Sequence, residues 1–520
     1  MKIKSYKFPS LPGHMLSILL SLFTLLGQRD LSRNSALILG FLIYYVVYLL
    51  LWWLLQTFAF SFSLKKNSDG PWTTKTVFFS CMIICLLCWL PYFLTYFPGI
   101  LSSDSIDQLR QVVGDLEYSN HHPWLHTLFI GAIYRFGRHV FGSSNGGVAL
   151  FTVIQMILMA ACYAYTITTL YRHRFKTWFL VLCLLFFAVI PFQAIYSITM
   201  WKDILFSGIC LSFTVVLWQL LSENVTISKL IASFLLGVLM CLFRSNGFYA
   251  YLFCLPIFLI GFKKIRKQFC LVAVATLGVV FLFKGPVMSS FSVSEPDIVE
   301  SLSIPLQQIA RTLHEQGAPC LTSDGSLYLS SIADLDGISD AYYCHISDNV
   351  KNFIRINGDQ NVISQDLVHF LKVYIQLGLR YPKEYIAAYI DQTYGYWFPS
   401  VDYWVYIPEI HKNTLEIAFN PLLPDSLCQT ISTFAGNYAE VPIYLWLWRI
   451  GTYIWAMLFF FAVALHKKNW KSALIFLPSI GLWLSLLVAT PVYAEFRYAY
   501  SIIISLPLFI ALTQKEEDAP

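Results

Sequence analysis

Charge is scarce in this chain. Only 12% of its 520 residues are Asp, Glu, Lys or Arg, against roughly 25% in soluble domains, which excludes an ordinary water-soluble fold. No small-residue cleavage site follows the basic start Lys2, Lys4, Lys7, so the first apolar run reads as a retained span and not as a signal peptide. No internal repeat or low-complexity tract breaks the chain, and its twelve cysteines form no metal-ligand spacing. Most of them sit in apolar runs, where cysteine is a small packed hydrophobe. Cys320 and Cys344 fall in a polar stretch and read either as a disulfide, if that stretch faces an oxidising compartment, or as two thiols. A net charge of +5 over this length makes no case for a nucleic-acid partner.

What the chain has in abundance is apolar surface, 57% of residues, with a mean hydropathy of +0.60. A helix needs about 20 apolar residues to cross a bilayer. Roughly twelve candidates follow: 11–27, 36–63, 77–97, 147–170, 177–196, 203–221, 229–243, 246–262, 269–285, 441–465, 472–490 and 498–513. The expected fold is an all-α polytopic membrane protein.

The run 124–141 is apolar enough to be a further span but carries Arg135, Arg138 and His139. Short cytoplasmic loops collect Lys and Arg. If this run crosses, the basic clusters at 172–176, 263–267 and 467–471 fall opposite those at 2–7 and 65–75; if it lies flat, all five share one side. Its apolar stripe, Leu125, Leu128, Phe129, Ala132, Ile133 and Phe136, opposes Thr127, Gly131, Arg135 and Arg138, which suits a helix lying in the membrane surface. Two interfacial helices are therefore expected, at about 102–115 and 124–140.

That topology divides the chain into a transmembrane part at 1–285, an external domain at 286–440 and closing spans at 441–520. The middle segment has eighteen acidic residues against seven Lys or Arg and is too long for a plain loop. Helical spacing at 298–314, 365–379 and 382–393 predicts a small, mainly helical domain.

Five polar clusters then meet on the external side, where charge at membrane depth marks function. The first follows the break at Pro98-Gly99: Ser102 or Ser103 caps a helix with Asp104, Asp107, Gln108 and Gln111 on one face turned to water or substrate, and His121, His122 and His126 come next. The others are Trp201-Lys202-Asp203, Arg244 through Gly247 with Asn246, Tyr394 to Pro399 with Tyr396 and Trp397, and Glu495-Phe496-Arg497-Tyr498. A carboxylate such as Asp104 or Asp107 deprotonates an attacking hydroxyl, while Lys202, Arg244 and Arg497 neutralise a leaving phosphate. Each group also has a plainer reading: the aspartates as a solvated helix face, His121-His122-Pro123 as a helix entry, Lys202 as an interface anchor beside Asp203, Glu495 and Arg497 as a mutual pair, and Tyr396 and Trp397 as part of an aromatic belt.

The sequence FPGILSSDSIDQ just beyond a span, then HHPWLHT, then MWKD and EFRYAYSI at span entrances, resembles the GT-C class of polyprenyl-phosphate-sugar-dependent glycosyltransferases. The protein mannosyltransferases and the lipid A aminoarabinose transferase belong to that class, and the pattern is nearest to its uncharacterised bacterial members. The resemblance spans most of the topology, though its motifs are short. It implies that Asp104, or secondarily Asp107, acts as catalytic base or binds the acceptor, and that Lys202, Arg244 and Arg497 hold the donor phosphate. His121, His122, Asp203, Asn246, Tyr396, Trp397 and Glu495 are further candidates for substrate contact. Subclasses with one residue between paired acids are not matched, since two separate Asp104 from Asp107; Mg²⁺ or Mn²⁺ would suit the chemistry, but no metal motif is present. The implied activity is inverting sugar transfer from a polyprenyl-phosphate donor to a cell-envelope glycan, lipid or protein. It is placed at a bacterial plasma membrane, among its lipids, with both termini cytoplasmic. A transporter or flippase of a lipid-linked sugar would use the same cations, and a non-catalytic envelope assembly or polymerase-type protein would fit the large external domain equally well.

Overall fold

A chain surrounded by lipid has to satisfy its backbone N–H and C=O groups internally, and helices do so within one segment. The computed structural model is helical throughout, with isolated β-bridges and no strand among the described residues, which are 10–28, 34–61, 64, 70–437 and 445–514. Lys2, Lys4, Lys7, Lys65, Lys66, the start of the candidate span 441–465 and the tail 515–520 lie outside them.

The first half holds α1 (Leu11–Gly27), α2 (Asn34–Ser61), α3 (Thr74–Thr95), α4 (Ser103–Val113), α5 (Trp124–Phe141), α6 (Ser144–Arg172), α7 (Thr177–Ala188), α8 (Pro191–Ser197), α9 (Lys202–Ser222), α10 (Ile227–Phe243), α11 (Ser245–Gly261) and α12 (Lys263–Ser290). Five of these, Leu37–Gln56 of α2 with α3, α6, α9 and α12, are long and apolar enough to cross a membrane. The expected single span at 177–196 is instead two helices bent by 54°. Pro191 opens the second and has no N–H with which to continue the α7 ladder, and all of α8 is buried in protein.

Helices occupy both stretches that the sequence reads as interfacial, at Ser103–Val113 and Trp124–Phe141. On α5 the small and polar stripe turns inward, through Thr127, Gly131, Tyr134 and Gly137, while Leu128, Phe136 and Val140 are exposed. This is the reverse of a water-soluble helix and fits an apolar side facing lipid. Arg135 Nη2 donates to the Val112 carbonyl at 2.6 Å and so satisfies the end of α4.

Beyond α12, helices α13 (Ser303–Gln316), α14 (Ser323–Ile332), α15 (Asp348–Asn357), α16 (Leu367–Arg380) and α17 (Pro382–Thr393) enclose a core of their own, including Leu306, Ile309, Leu313, Ile354 and Phe370. The expected unit at 286–440 is therefore too wide: Tyr396, Trp397, Val405 and Ile417 belong to the main core, because this aromatic strap has no amphipathic period with which to join the helical layer. Cys320 is a free, buried thiol, and no bridge joins it to Cys344. Helix α18 (Asp425–Gly436) packs on α3, and α19 (Ile450–His466), α20 (Leu477–Ala489) and α21 (Phe496–Leu512) close the chain.

Charge separates the two ends of the bundle. Arg172, Lys229, Lys263, Lys264 and Lys471 gather at one end, with Asp104, Lys202, Arg244 and Arg497 at the other.

Candidate functional site

The site begins with how α4 is fastened. Ile100 N donates to the Ile198 carbonyl and Met200 N to the Ile100 carbonyl, each at 2.9 Å, so the strands of chain before α4 and α9 run side by side. Ser102 is the N-cap of α4, yet its hydroxyl makes no cap bond and instead accepts from Trp201 Nε1 at 2.6 Å. Ser105 Oγ donates to the Met200 carbonyl at 2.7 Å. The first turn of α4 is thereby fixed beside the first turn of α9, and Asp104 beside Lys202.

Asp104 Oδ2 accepts from Arg497 Nη1 at 3.1 Å and lies 3.8 Å from Lys202 Nζ. Lys202 Nζ also donates to His122 Nδ1 at 2.9 Å, which leaves the ring proton of His122 on Nε2. Arg497 is shared: its Nε donates to Glu495 Oε1 at 2.9 Å, and its guanidinium lies 4.6 Å from the centre of the Trp201 ring. Arg244, in the hairpin between α10 and α11, pairs with Asp203 and lies 4.3 Å over the Tyr498 ring. A Cβ on Gly247 would clash with the Met240 carbonyl, so this hairpin needs glycine for its close approach.

These groups surround a polar cavity of about 380 Å³. Burial works against the charge of Asp104, but Arg497 and Lys202 outweigh it and hold the carboxyl well below the usual range. Burial, then repulsion by Lys202, keeps His122 well below the usual imidazole value and therefore neutral at pH 7. Glu495 moves the other way: burial, reinforced by Asp104 and only partly offset by Arg497, pushes it up to about 7.

Of the residues singled out from sequence, Asp104, His121, His122, Lys202, Arg244, Asn246 and Arg497 line this cavity. Asp203 and Glu495 stand behind it, each bound to one of its arginines. Three expectations need correction. Asp107 does not line the cavity: it is half-exposed and pairs with Arg110 at 3.5 Å. Its supposed companions Gln108 and Gln111 are buried: Gln108 donates to Thr127 Oγ1 at 2.9 Å and accepts from His126 Nδ1 at 3.1 Å, both on α5, and Gln111 accepts from Ser119 N at 3.1 Å in the loop before it. Tyr396 and Trp397 are buried and do not reach the cavity; the Tyr396 hydroxyl donates to the Val492 carbonyl at 2.8 Å and accepts from Glu495 N at 3.1 Å, which fixes the loop carrying Glu495 and Arg497.

The sequence reading missed the far wall, made by the small helical layer that includes α15. Lys351 Nζ donates to Glu300 Oε2 at 2.8 Å and lies 2.6 Å from Asp348 Oδ1; Arg355 Nη2 donates to Glu300 Oε1 at 2.5 Å. The available signal was the spacing of Asp348, Lys351 and Arg355 on one face of α15, within a segment otherwise poor in cations. Among the described residues no three His, Cys, Asp or Glu converge to hold a metal ion, and Asp104, Glu300 and Asp348 are each already engaged by a cation.

The cavity continues into a groove of about 760 Å³, sharing His121, Ser245, Asn246, Glu300 and Ala489. Tyr249, Phe253, Leu484 and Val488 line it from α11 and α20, and all four are exposed, so the groove opens sideways where these helices would meet lipid. Lys284 of α12 also lines it, its ammonium 4.9 Å from the Phe248 ring centre.

Fold and site together define a class: an all-helical membrane protein with a charged cavity at one end of its bundle, covered by a small helical domain. The chain belongs to the family described as DUF6020, a family of unknown function, which matches residues 115–519. The matched stretch includes His122, Lys202, Arg244 and Arg497 and starts after Asp104. No curated protein and no solved structure matches the chain.

Proposed function

We propose that the protein is a polyprenyl-phosphate-sugar-dependent glycosyltransferase of the GT-C type, acting at the external face of a bacterial plasma membrane. In this reading the five long helices, the bent α7–α8 pair and the six shorter apolar helices all cross the bilayer, giving twelve spans with both termini cytoplasmic. The observation that carries the reading is Asp104, held between Arg497 and Lys202 in a polar cavity that opens into an apolar groove.

The polyprenyl chain of the donor runs along Phe253, Leu484 and Val488, and its phosphate enters the cavity at Lys202, Arg244 and Arg497. A carboxylate held by two cations is a weak base. The arriving phosphate takes over Lys202 and Arg497, and Asp104, losing their pull, becomes basic enough to accept a proton. The acceptor hydroxyl then attacks the anomeric carbon. A carbon–oxygen bond forms, the bond from that carbon to the phosphate oxygen breaks, the electron pair leaves with polyprenyl phosphate, and the hydroxyl proton passes to Asp104. One displacement inverts the anomeric centre. The acceptor, a cell-envelope glycan, lipid or protein, approaches along the wall formed by Glu300, Lys351 and Arg355.

The test is incubation of the purified full chain with labelled polyprenyl-phosphate sugars, with and without envelope acceptors. Acceptor-dependent release of free polyprenyl phosphate is expected. Movement of intact donor between leaflets without release would identify a flippase and overturn the reading.

A further inference from the structure

A space of about 1060 Å³ lies at the end of the bundle opposite Asp104. Five Lys or Arg side chains line it, Arg172, Lys229, Lys263, Lys264 and Lys471, with Glu223 as the one carboxylate. That carboxylate is saturated: Lys229 Nζ lies 2.7 Å away, Arg172 Nη2 3.0 Å and His173 Nε2 3.2 Å. Lys263, Lys264 and Lys471 are exposed and have no carboxylate within ion-pair distance among the described residues. The tendency of basic residues to collect in cytoplasmic loops accounts for their sign. It does not account for a cavity.

The cavity has a mixed lining. Its charged rim comes from the end of α6, the starts of α10 and α12, and Lys471 in the segment before α20, while Leu220, Leu221, Val225, Phe262 and Ile265 supply apolar wall. Cations around a space floored with hydrocarbon match an amphiphile that presents phosphate oxygens next to carbon, at the depth where headgroups meet acyl chains. We propose that this cavity is a binding site for a phosphate-bearing anion, filled in the membrane by the headgroup of an anionic phospholipid. It is separate from the transfer reading and stands or falls without it.

The probes are phosphatidylglycerol, phosphatidylcholine and inorganic phosphate, added to the full-length chain in detergent at about 0.15 M salt, where distant charges are screened. Bound lipid is counted by native mass spectrometry and stability is read from Tm. Saturable binding of phosphatidylglycerol and not phosphatidylcholine is expected, about a hundredfold weaker in Lys263→Gln/Lys264→Gln/Lys471→Gln. A control, Arg266→Gln/Lys267→Gln/Lys468→Gln, removes the same charge from the same face outside the cavity and should bind as the parent does. Inorganic phosphate that displaces the lipid supports the shared chemistry with a free anion sufficing; lipid binding that phosphate leaves untouched supports the headgroup as the ligand. Equal weakening in the two triple variants, or no saturable binding of any phosphate probe, overturns the proposal. Should the first triple variant not fold, Lys264→Gln and Lys471→Gln singly carry the same comparison.

Discussion

Arg497 Nη1 lies 3.1 Å from Asp104 Oδ2 although 393 positions separate the two in sequence. The same guanidinium holds Glu495 through its Nε, so one side chain from the start of the last helix ties the first interfacial helix to the final loop. The proposed base and two of the three cations proposed to hold the phosphate are this pair and Lys202 beside it.

Asp104→Asn should reduce sugar transfer by about a hundredfold or more, the usual worth of a positioned base. Asp107→Asn should leave turnover within about twofold, since its carboxylate pairs with Arg110 away from the cavity. Release of polyprenyl phosphate measures both. Normal turnover by the Asp104 variant would remove the base from the mechanism.

Arg497→Ala strands two carboxylates, one of them almost fully buried, and should cost about 3 kcal/mol or more of stability. The triple variant that adds Asp104→Asn and Glu495→Gln should recover much of that loss in Tm, because neutral amides no longer need the cation. No recovery would mean that Arg497 acts by packing on Trp201 instead of by charge.

Glu495 ionises near pH 7, well above the ordinary carboxyl value, so folding favours its protonated form. Stability from this group is present below its ordinary pKa of about 4.3 and lost as pH rises through about 7. The Tm of the parent relative to Glu495→Gln should therefore fall between about pH 5 and pH 8. Asp104, held far below the usual range, stays ionised throughout, and the gap between parent and Asp104→Asn should be flat over that window. Thermal melts across pH read both; a flat Glu495 comparison would contradict its burial next to Asp104.

Tyr396→Phe removes the acceptor that Glu495 N and Thr490 Oγ1 donate to, each at 3.1 Å, at a cost of about 1–3 kcal/mol. The effect should appear as a lower Tm. A raised donor KM at unchanged Tm would instead put this ring in contact with substrate.

Arg355→Gln loosens Glu300 and Asp297 on the external wall. It should raise the KM for acceptor several-fold and leave donor binding within about twofold. The reverse split, measured with saturating acceptor, would assign that wall to the donor.

Much of the architecture was legible because its cause is local. Apolar length marks most of the helices, and the opposed stripes of 124–140 mark the small and polar side on which α5 packs inward. Pro382 at the first position of α17 marks its start. Misreadings came where a local pattern had two solutions. Asp104, Asp107, Gln108 and Gln111 share helical spacing, but α5 and the loop before it engage the glutamines and leave Asp107 aside. Tyr396 looked like a belt or substrate aromatic, and only its bonds to Val492 and Glu495 reveal it as a brace.

By itself, then, the order of residues determined that the chain is helical, where its apolar segments lie, and that Asp104, Lys202, Arg244 and Arg497 fall toward one end of them. Those properties follow from hydrophobic length and from the alternation of basic and acidic loops. Tertiary structure alone decided that Arg497 serves two carboxylates, that α15 brings Lys351 and Arg355 over the same cavity, and that a second, cationic hollow forms at the far end. The reason is physical: such contacts join segments hundreds of residues apart, and their partners are chosen by packing, which no local period encodes.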